Sequence, residues 1–173
     1  MSKIEFLKDQ LIESRNFVNC LIAELPEELW YTVPPNTEAN FAWQIGHILI
    51  SQNFHAITCI TGRNDKVYKL LPIADYVKLF NGMGTQHRSV EKDLIPTARL
   101  KEELNTVHSI CIENLSTIND DMLYNDIEPI PFKHPVATTK YEALSWCFKH
   151  EMWHAAEMEA LKVALNHPIV WIK

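Results

Sequence analysis

The chain has 173 residues, of which 47% are hydrophobic and 22% are charged, with a formal net charge of -6. These values are typical of a globular protein and predict one domain over residues 1–173. The negative charge and the absence of a basic cluster exclude a surface built for nucleic acid or anionic lipid. No apolar run is long enough to cross a membrane. Four widely spaced cysteines indicate reduced thiols in a cytoplasmic protein.

The first half of the sequence predicts two long helices. The first carries an apolar stripe from Ile4 to Leu25 that is interrupted only at Ser14. The second follows Asn40, a candidate N-cap, and extends to Gly62, a residue that can end a helix.

A connection of residues 63–96 follows, which is long for a helical bundle. It contains a candidate short helix in DYVKLF (75–80) and a candidate turn in NGMG (81–84). A connection of this length does not force the next helix to lie antiparallel to the second, so the topology stays open.

Two further long helices are predicted after this connection. The third begins near Thr97, directly after a proline, and the fourth begins with a capping box formed by Thr139 and Glu142 and runs to Asn166. The prediction is therefore an all-α fold: a four-helix bundle with a long connection between helices 2 and 3.

Two histidines of the fourth helix are candidate metal ligands. His150 and His154 are one turn apart and belong to the apolar stripe, so both rings should point inward. Two unpaired imidazoles in a core are costly, and a metal ion satisfies both. His47 is the candidate third ligand, because it lies in the apolar stripe of the second helix. The adjacent Gly46 removes a side chain where another helix or a ligand must approach closely.

The remaining candidates receive ordinary structural interpretations. His55 lies about 80° around the helix from His47 and is expected to be peripheral. Cys147 is expected to be a small core residue rather than a fourth ligand. The same ordinary interpretation applies to His87, His108, His134 and His167.

The sequence from His150 to His154 also matches the H-E-x-x-H pattern of zinc peptidases, in which the glutamate is the general base. Only 19 residues follow His154, and none of them forms the further ligand motif of those enzymes. Glu151 lies about 100° around the helix from His150 and faces either a neighbouring helix or solvent, with an exposed helix glutamate as the commoner case. A peptidase is therefore the least favoured interpretation.

Two segments resemble the DinB/YfiT-like superfamily of small metal-binding four-helix bundles. NFAWQIGHIL (40–49) is similar to its W-x-x-G-H segment, and FKHEMWHAAEM (148–158) is similar to its H-x-x-x-H segment. The resemblance implies that His47, His150 and His154 bind a divalent transition metal, with Zn(II) and Ni(II) as the expected ions. Members often have Gly and Gln after the last histidine, where this chain has Ala155 to Glu157.

The resemblance also implies a function. Members with assigned chemistry are metal-dependent transferases of low-molecular-weight thiols such as bacillithiol, mycothiol or glutathione, and others are hydrolases. The expected partner is a small-molecule substrate, and no catalytic residue beyond the metal ligands is assigned. The alternative is a non-catalytic bundle that serves as a stress-linked interaction module without metal. Trp153, beside the ligand stripe, allows a homodimer.

Overall fold

The computed structural model describes residues 1–81 and 88–169. Within these ranges the secondary structure is helical, with two isolated bridges and no β-strand, so the all-α prediction is confirmed. No helix among the described residues combines the length and the apolar composition needed to span a bilayer. His87, Trp171 and most of the predicted NGMG turn lie outside the described residues.

The described residues form six helices, four of them long. The second helix continues through a π turn, Asn53–Thr58, into a last α-helical turn, Cys59–Thr61. The helices are α1 (Lys3–Glu24), α2 (Phe41–Gln52 with its continuation), α3 (Asp65–Leu70), α4 (Ile73–Phe80), α5 (Thr97–Leu115) and α6 (Lys140–Ala164).

Two of the long helices, α2 and α6, begin at the predicted residues because side chains satisfy their first amide groups. The side chain of Asn40 accepts a hydrogen bond from the backbone N–H of Trp43 at 2.9 Å. Thr139 and Glu142 form the predicted capping box at the start of α6. A glycine with φ of 82°, Gly62, ends the continuation of α2.

The described residues of the connection, 63–81 and 88–96, contain two helices, whereas one was predicted. Asn64 caps α3 through its side chain, and Pro72 precedes α4, which includes the predicted DYVKLF helix. The end of α4 packs directly on α2, where a Cβ atom at Gly46 would overlap the ring of Phe80. The prediction that Gly46 permits a close approach is therefore confirmed.

The core lies between α2 and the helices around it. α2 packs against α4, α5 and α6, while α1 packs against α5 and α6. Nine of the twelve residues from Phe41 to Gln52 are buried, so α2 is buried on almost every side. This arrangement places the polar residues of α2 and α6 between helices instead of in solvent.

Candidate metal centre

Three histidines meet where α2 packs against α6. His47 belongs to α2, and His150 and His154 lie one turn apart on α6. Nε2 of His150 lies 3.5 Å from Nε2 of His47 and 3.1 Å from Nε2 of His154. One ligand atom from each ring lies within 4.8 Å of the other two. The structure thus brings together the three residues that the sequence predicted as ligands.

The spacing of the His150 nitrogen from the other two nitrogens fits a metal ion. Ligand nitrogens about 2.0–2.1 Å from a tetrahedral zinc ion lie about 3.3 Å from one another. The observed separations of 3.5 Å and 3.1 Å bracket that value. His154 is buried, whereas His47 and His150 are partly exposed, so the fourth side of the group opens toward the surface.

The orientation of the His47 ring is fixed from outside the group. Its Nδ1–H donates to the carbonyl oxygen of Phe80 at 2.6 Å, which leaves the lone pair on Nε2. The ring stacks on Trp43 with centroids 4.8 Å apart and planes 11° apart. Trp43 is itself held by a hydrogen bond from Nε1 to the carbonyl oxygen of Leu79 at 3.0 Å. The close packing of α4 on Gly46 therefore orients His47.

A polar network orients His154 in the same way. Its Nδ1–H donates to Oε1 of Gln44 at 2.7 Å, and Nε2 of Gln44 donates to Oε2 of Glu157 at 2.8 Å. Arg88 pairs with Glu157 at 3.1 Å. Nδ1 of His154 also lies 3.3 Å from Oε2 of Glu157, and this contact, together with Gln44 and Arg88, lowers the pKa of Glu157 to about 2. His154 thus presents the lone pair of Nε2 to the other two rings.

The electrostatics favour neutral imidazoles. Burial, followed by the nearby His154, lowers the pKa of His47 to about 4 and that of His150 to about 3. A neutral imidazole is the form that binds a metal ion. A single proton on Nε2 of His150 can satisfy only one of the two facing lone pairs, and the hydroxyl of Ser51 lies 3.4 Å from His47, which is long for a hydrogen bond. A cation satisfies all three nitrogens.

The comparison with protein families agrees with this geometry. Residues 10–158 match the sequence profile of the DinB superfamily. The chain belongs to the DinB superfamily. This superfamily is metal-binding, and a group of three histidines is present here at the positions its motifs predicted. A search of curated proteins finds no match to the chain.

Glu151 does not behave as predicted in this member of the DinB superfamily. It is 2% exposed and forms an ion pair with Arg15, with 2.6 Å between Nε and Oε1. Arg15 also donates to the carbonyl oxygen of Leu104 at 2.8 Å and to Gln52 at 3.1 Å. The prediction of an exposed glutamate is wrong because α1 covers this side of α6. Both carboxylate oxygens contact Arg15, so Glu151 is not free to act as the general base of a peptidase.

The prediction that His55 is peripheral is also wrong. His55 and His134 are 6% and 3% exposed, and Nδ1 of His55 lies 2.8 Å from Nε2 of His134. The His55 ring lies 5.7 Å from that of His150. The angular argument assumed a regular α-helix, whereas His55 lies in the π turn. No sequence signal indicated the pairing, because His134 belongs to a distant segment without a helical repeat.

The remaining predicted residues lie outside the three-histidine group. Cys147 is buried, as predicted, and burial raises its thiol pKa well above the usual value. His108 is partly buried, and its Nδ1 accepts a hydrogen bond from Gln52 at 2.9 Å. His167, beyond the end of α6, is partly exposed. None of these three side chains is part of the group that could bind an ion.

Proposed function

We propose that the protein is a metal-dependent enzyme in which His47, His150 and His154 bind one divalent transition metal ion, Zn(II) or Ni(II), through their Nε2 atoms. The observation that carries this proposal is the convergence of the three rings, with Nε2 of His150 at ligand spacing from Nε2 of the other two, while Nδ1 of His47 and of His154 is held by an oxygen acceptor. Outer hydrogen bonds of this kind are typical of metal-binding histidines. The four long helices constitute the four-helix bundle that supports the site.

The proposed reaction is the transfer of a low-molecular-weight thiol to a small-molecule electrophile. When bound, the ion acts as a Lewis acid that lowers the pKa of a thiol or a water molecule. The three buried cysteines are not the source of the thiol, because burial raises the pKa values of Cys59 and Cys111 to about 12 and raises that of Cys147 well above its usual value. The fourth, Cys20, is exposed on α1, which contributes none of the three histidines, so we expect the thiol to come from outside the protein.

Hydrolysis is the second candidate, and the carboxylates near the site make it less favoured. Metal-dependent hydrolases often use a carboxylate as general base. Glu151 is paired with Arg15, and Glu157 is held by Gln44 and Arg88 behind His154. A thiol would need no such base, because an ion held by the three histidines would lower the pKa of the thiol far enough for water to take its proton.

The surroundings of the site favour a small organic substrate. Trp146 and Trp153 lie beside His150, with ring centroids 5.7 Å and 6.5 Å away. Trp153 is 60% exposed, so an apolar surface borders the open side of the three-histidine group. The net charge of -6 favours neither nucleic acid nor an anionic membrane as a partner. Four free cysteines suit the cytoplasm, and a homodimer through Trp153 stays a prediction.

The experiment that tests the metal site is elemental mass spectrometry of the purified protein. We expect about one transition-metal ion per chain, loss of that ion in His150→Ala, and retention in His108→Ala, which removes a partly buried histidine outside the group. Absence of metal after growth in supplemented medium and after titration would contradict the proposal. That result would favour the non-catalytic bundle.

The choice between thiol and water is tested with the metal-loaded protein. Conjugation of glutathione to 1-chloro-2,4-dinitrobenzene is expected to proceed faster than in the metal-free protein, with hydrolysis of p-nitrophenyl acetate unchanged. The reverse pattern would identify water as the nucleophile. Both activities should be absent in His150→Ala.

A further inference from the structure

A second pair of histidines lies next to the three-histidine group. His55 lies in the π turn of α2, and His134 lies in the segment between the 3-10 turn Asp121–Tyr124 and α6. Their rings are 4.9 Å apart and nearly perpendicular, and a 2.8 Å hydrogen bond joins Nδ1 of His55 to Nε2 of His134. Both side chains are more than nine-tenths buried. The proposed thiol chemistry uses neither residue.

The backbone determines which nitrogen of His134 carries the proton. Its Nδ1 accepts hydrogen bonds from the backbone N–H of Val136 at 3.2 Å and of Ala137 at 2.9 Å. A nitrogen that accepts hydrogen bonds from amide groups holds a lone pair, so the proton of the neutral ring is on Nε2. Burial lowers the pKa of His134, in agreement with a neutral ring.

The proton position in His134 fixes that in His55. Nε2–H of His134 is the donor of the 2.8 Å hydrogen bond, so Nδ1 of His55 is the acceptor and its proton is on Nε2. A ring whose Nδ1 accepts a hydrogen bond is the neutral form with its one proton on Nε2, so this geometry fixes the protonation of His55. His55 lies outside the three-histidine group and has an N–H group to donate.

The surrounding rings hold the pair in place beside the metal centre. The Phe54 ring stacks on His134 with planes 6° apart and on Phe132 with planes 22° apart. The His55 ring is 5.7 Å from His150 at an angle of 70°. Among residues 1–81 and 88–169, the hydrogen bond found for the His55 ring is the one at Nδ1, and no acceptor is found for Nε2.

We propose that His55 is a binding residue whose Nε2–H donates a hydrogen bond to an anionic group of the ligand at the three-histidine centre, and that His134 positions it. A preorganised N–H donor stabilises negative charge with little reorganisation, because its direction is fixed before the ligand arrives. The ligand class is a small molecule that carries a carboxylate, a thiolate or another compact anion. The position of that ligand rests on the proposed metal site, whereas the protonation pattern of the two histidines does not.

The protonation pattern is tested in the metal-free wild-type protein. Two-bond ¹H–¹⁵N correlation spectra of protein with ¹⁵N-labelled histidine distinguish the two neutral forms. We expect both His55 and His134 as the Nε2–H form, and a mixture of forms for His55 in His134→Phe. Observation of His55 as the Nδ1–H form in the wild type would overturn the proposal. This measurement requires neither metal nor substrate.

Ligand binding is tested in protein loaded with Co(II), with azide as the anionic probe and visible absorption as the readout. Loss of one hydrogen bond to a charged group predicts about tenfold weaker azide binding in His55→Phe. We expect His55→Gln, which retains an N–H group, to bind within about twofold of wild type, and His108→Phe to be unchanged. A role in folding alone would not be restored by glutamine.

The outcomes separate the two proposals. If azide binds His55→Phe as tightly as wild type while Co(II) remains bound, the donor role is wrong and the metal site stands. If the wild type takes up no Co(II), the metal site is wrong, and with it the placement of the ligand. In that case the spectra of the metal-free protein still decide whether His134 fixes the proton of His55.

Discussion

The two polar clusters of α6 begin at adjacent residues and differ in kind. Glu151 faces α1, and in its cluster donors meet acceptors: Arg15 pairs with the carboxylate, the Leu104 carbonyl and Gln52. His150 faces α2, and in its cluster three ring nitrogens face one another, with 3.1 Å and 3.5 Å between them and at most one proton, on Nε2 of His150, to share. In the first cluster, donors and acceptors of the chain satisfy one another. In the second, the ring nitrogens would all be satisfied by a bound cation.

Because of this difference, the histidines and the glutamate of the H-E-x-x-H pattern have different roles in this chain. The histidines face one neighbouring helix, and the glutamate, about 100° around α6, faces another. In a zinc peptidase the three residues act at one site. In this chain the glutamate contributes to the core instead, so the pattern alone does not indicate the chemistry.

The largest expected effect on stability comes from a substitution in the cluster of Arg15 and Glu151. Glu151→Ala leaves the guanidinium of Arg15 buried without its partner, and we expect a loss of about 3–5 kcal/mol in the free energy of unfolding. Urea denaturation measures this loss. The control Glu113→Ala breaks an exposed pair with Lys66 and should cost about 0–1 kcal/mol. Equal effects of the two variants would mean that the buried pair contributes no more than a surface pair.

Substitutions of two buried glutamines of α2 test whether the two clusters are independent, with metal affinity as the quantity measured. Gln44→Leu removes the acceptor for His154, and we expect metal binding to weaken by about 10–100-fold in competition with a chromophoric chelator. Gln52→Leu removes an acceptor for Arg15 and should lower stability while it leaves metal affinity within about twofold. If both variants lost metal equally, the two clusters would not be independent.

An intermediate effect on stability is expected from a substitution at the contact between α2 and α4. In Gly46→Ala the new methyl group overlaps the Phe80 ring, and overpacking of this kind costs about 1–3 kcal/mol. This cost exceeds the gain of about 1 kcal/mol in helix propensity, so thermal unfolding should occur at a lower temperature. Phe80→Leu in the same chain should restore part of the loss. A Gly46→Ala variant as stable as wild type would show that Phe80 can move away without cost.

The smallest effect per residue is that of pH on the metal-free protein. The pKa values of His47 and His150 are lowered to about 4 and about 3 in the fold, so below pH 6.5 the unfolded chain binds more protons than the native chain. Stability is therefore retained above the unfolded pKa and falls with pH from about 6.5 toward about 4. Between pH 7 and pH 6 each histidine should contribute about 0.7 kcal/mol to this loss.

Urea midpoints at pH 7 and pH 6 measure the pH effect. The double variant His47→Gln and His150→Gln should show a smaller change between the two pH values than wild type does. An unchanged difference would mean that other groups cause the loss of stability in acid.

Residues that follow a local rule were predictable. The starts of α2, α5 and α6 follow from Asn40, Pro96 and the Thr139 capping box. The inward-facing histidines follow from the apolar stripes of two helices. These features depend on spacing along one helix, which a sequence displays directly.

Residues whose partners are distant in the sequence were not predictable from spacing. Arg15 and Glu151 are 136 positions apart, and each looks like an ordinary surface charge on its own helix. His134 follows no repeat, so its pairing with His55 had no local signal. The stripe argument also assumes that a helix has one buried face, whereas α2 is buried on almost every side. The outer partners of the histidines, Gln44 and the Phe80 carbonyl, were missed for these reasons.

The π turn from Asn53 to Thr58 behaves as a one-residue insertion in α2. Deletion of one residue from this turn would restore an ordinary helix and rotate everything after it by about 100° relative to the residues before it. His47 would stay in place, but Cys59 and Ile60 would leave the core, and the His55 side chain would point in a different direction. Length variants of α2 should therefore separate the two histidine groups. A homologous chain with one residue fewer at this point would retain the three ligands and lose the neighbouring donor.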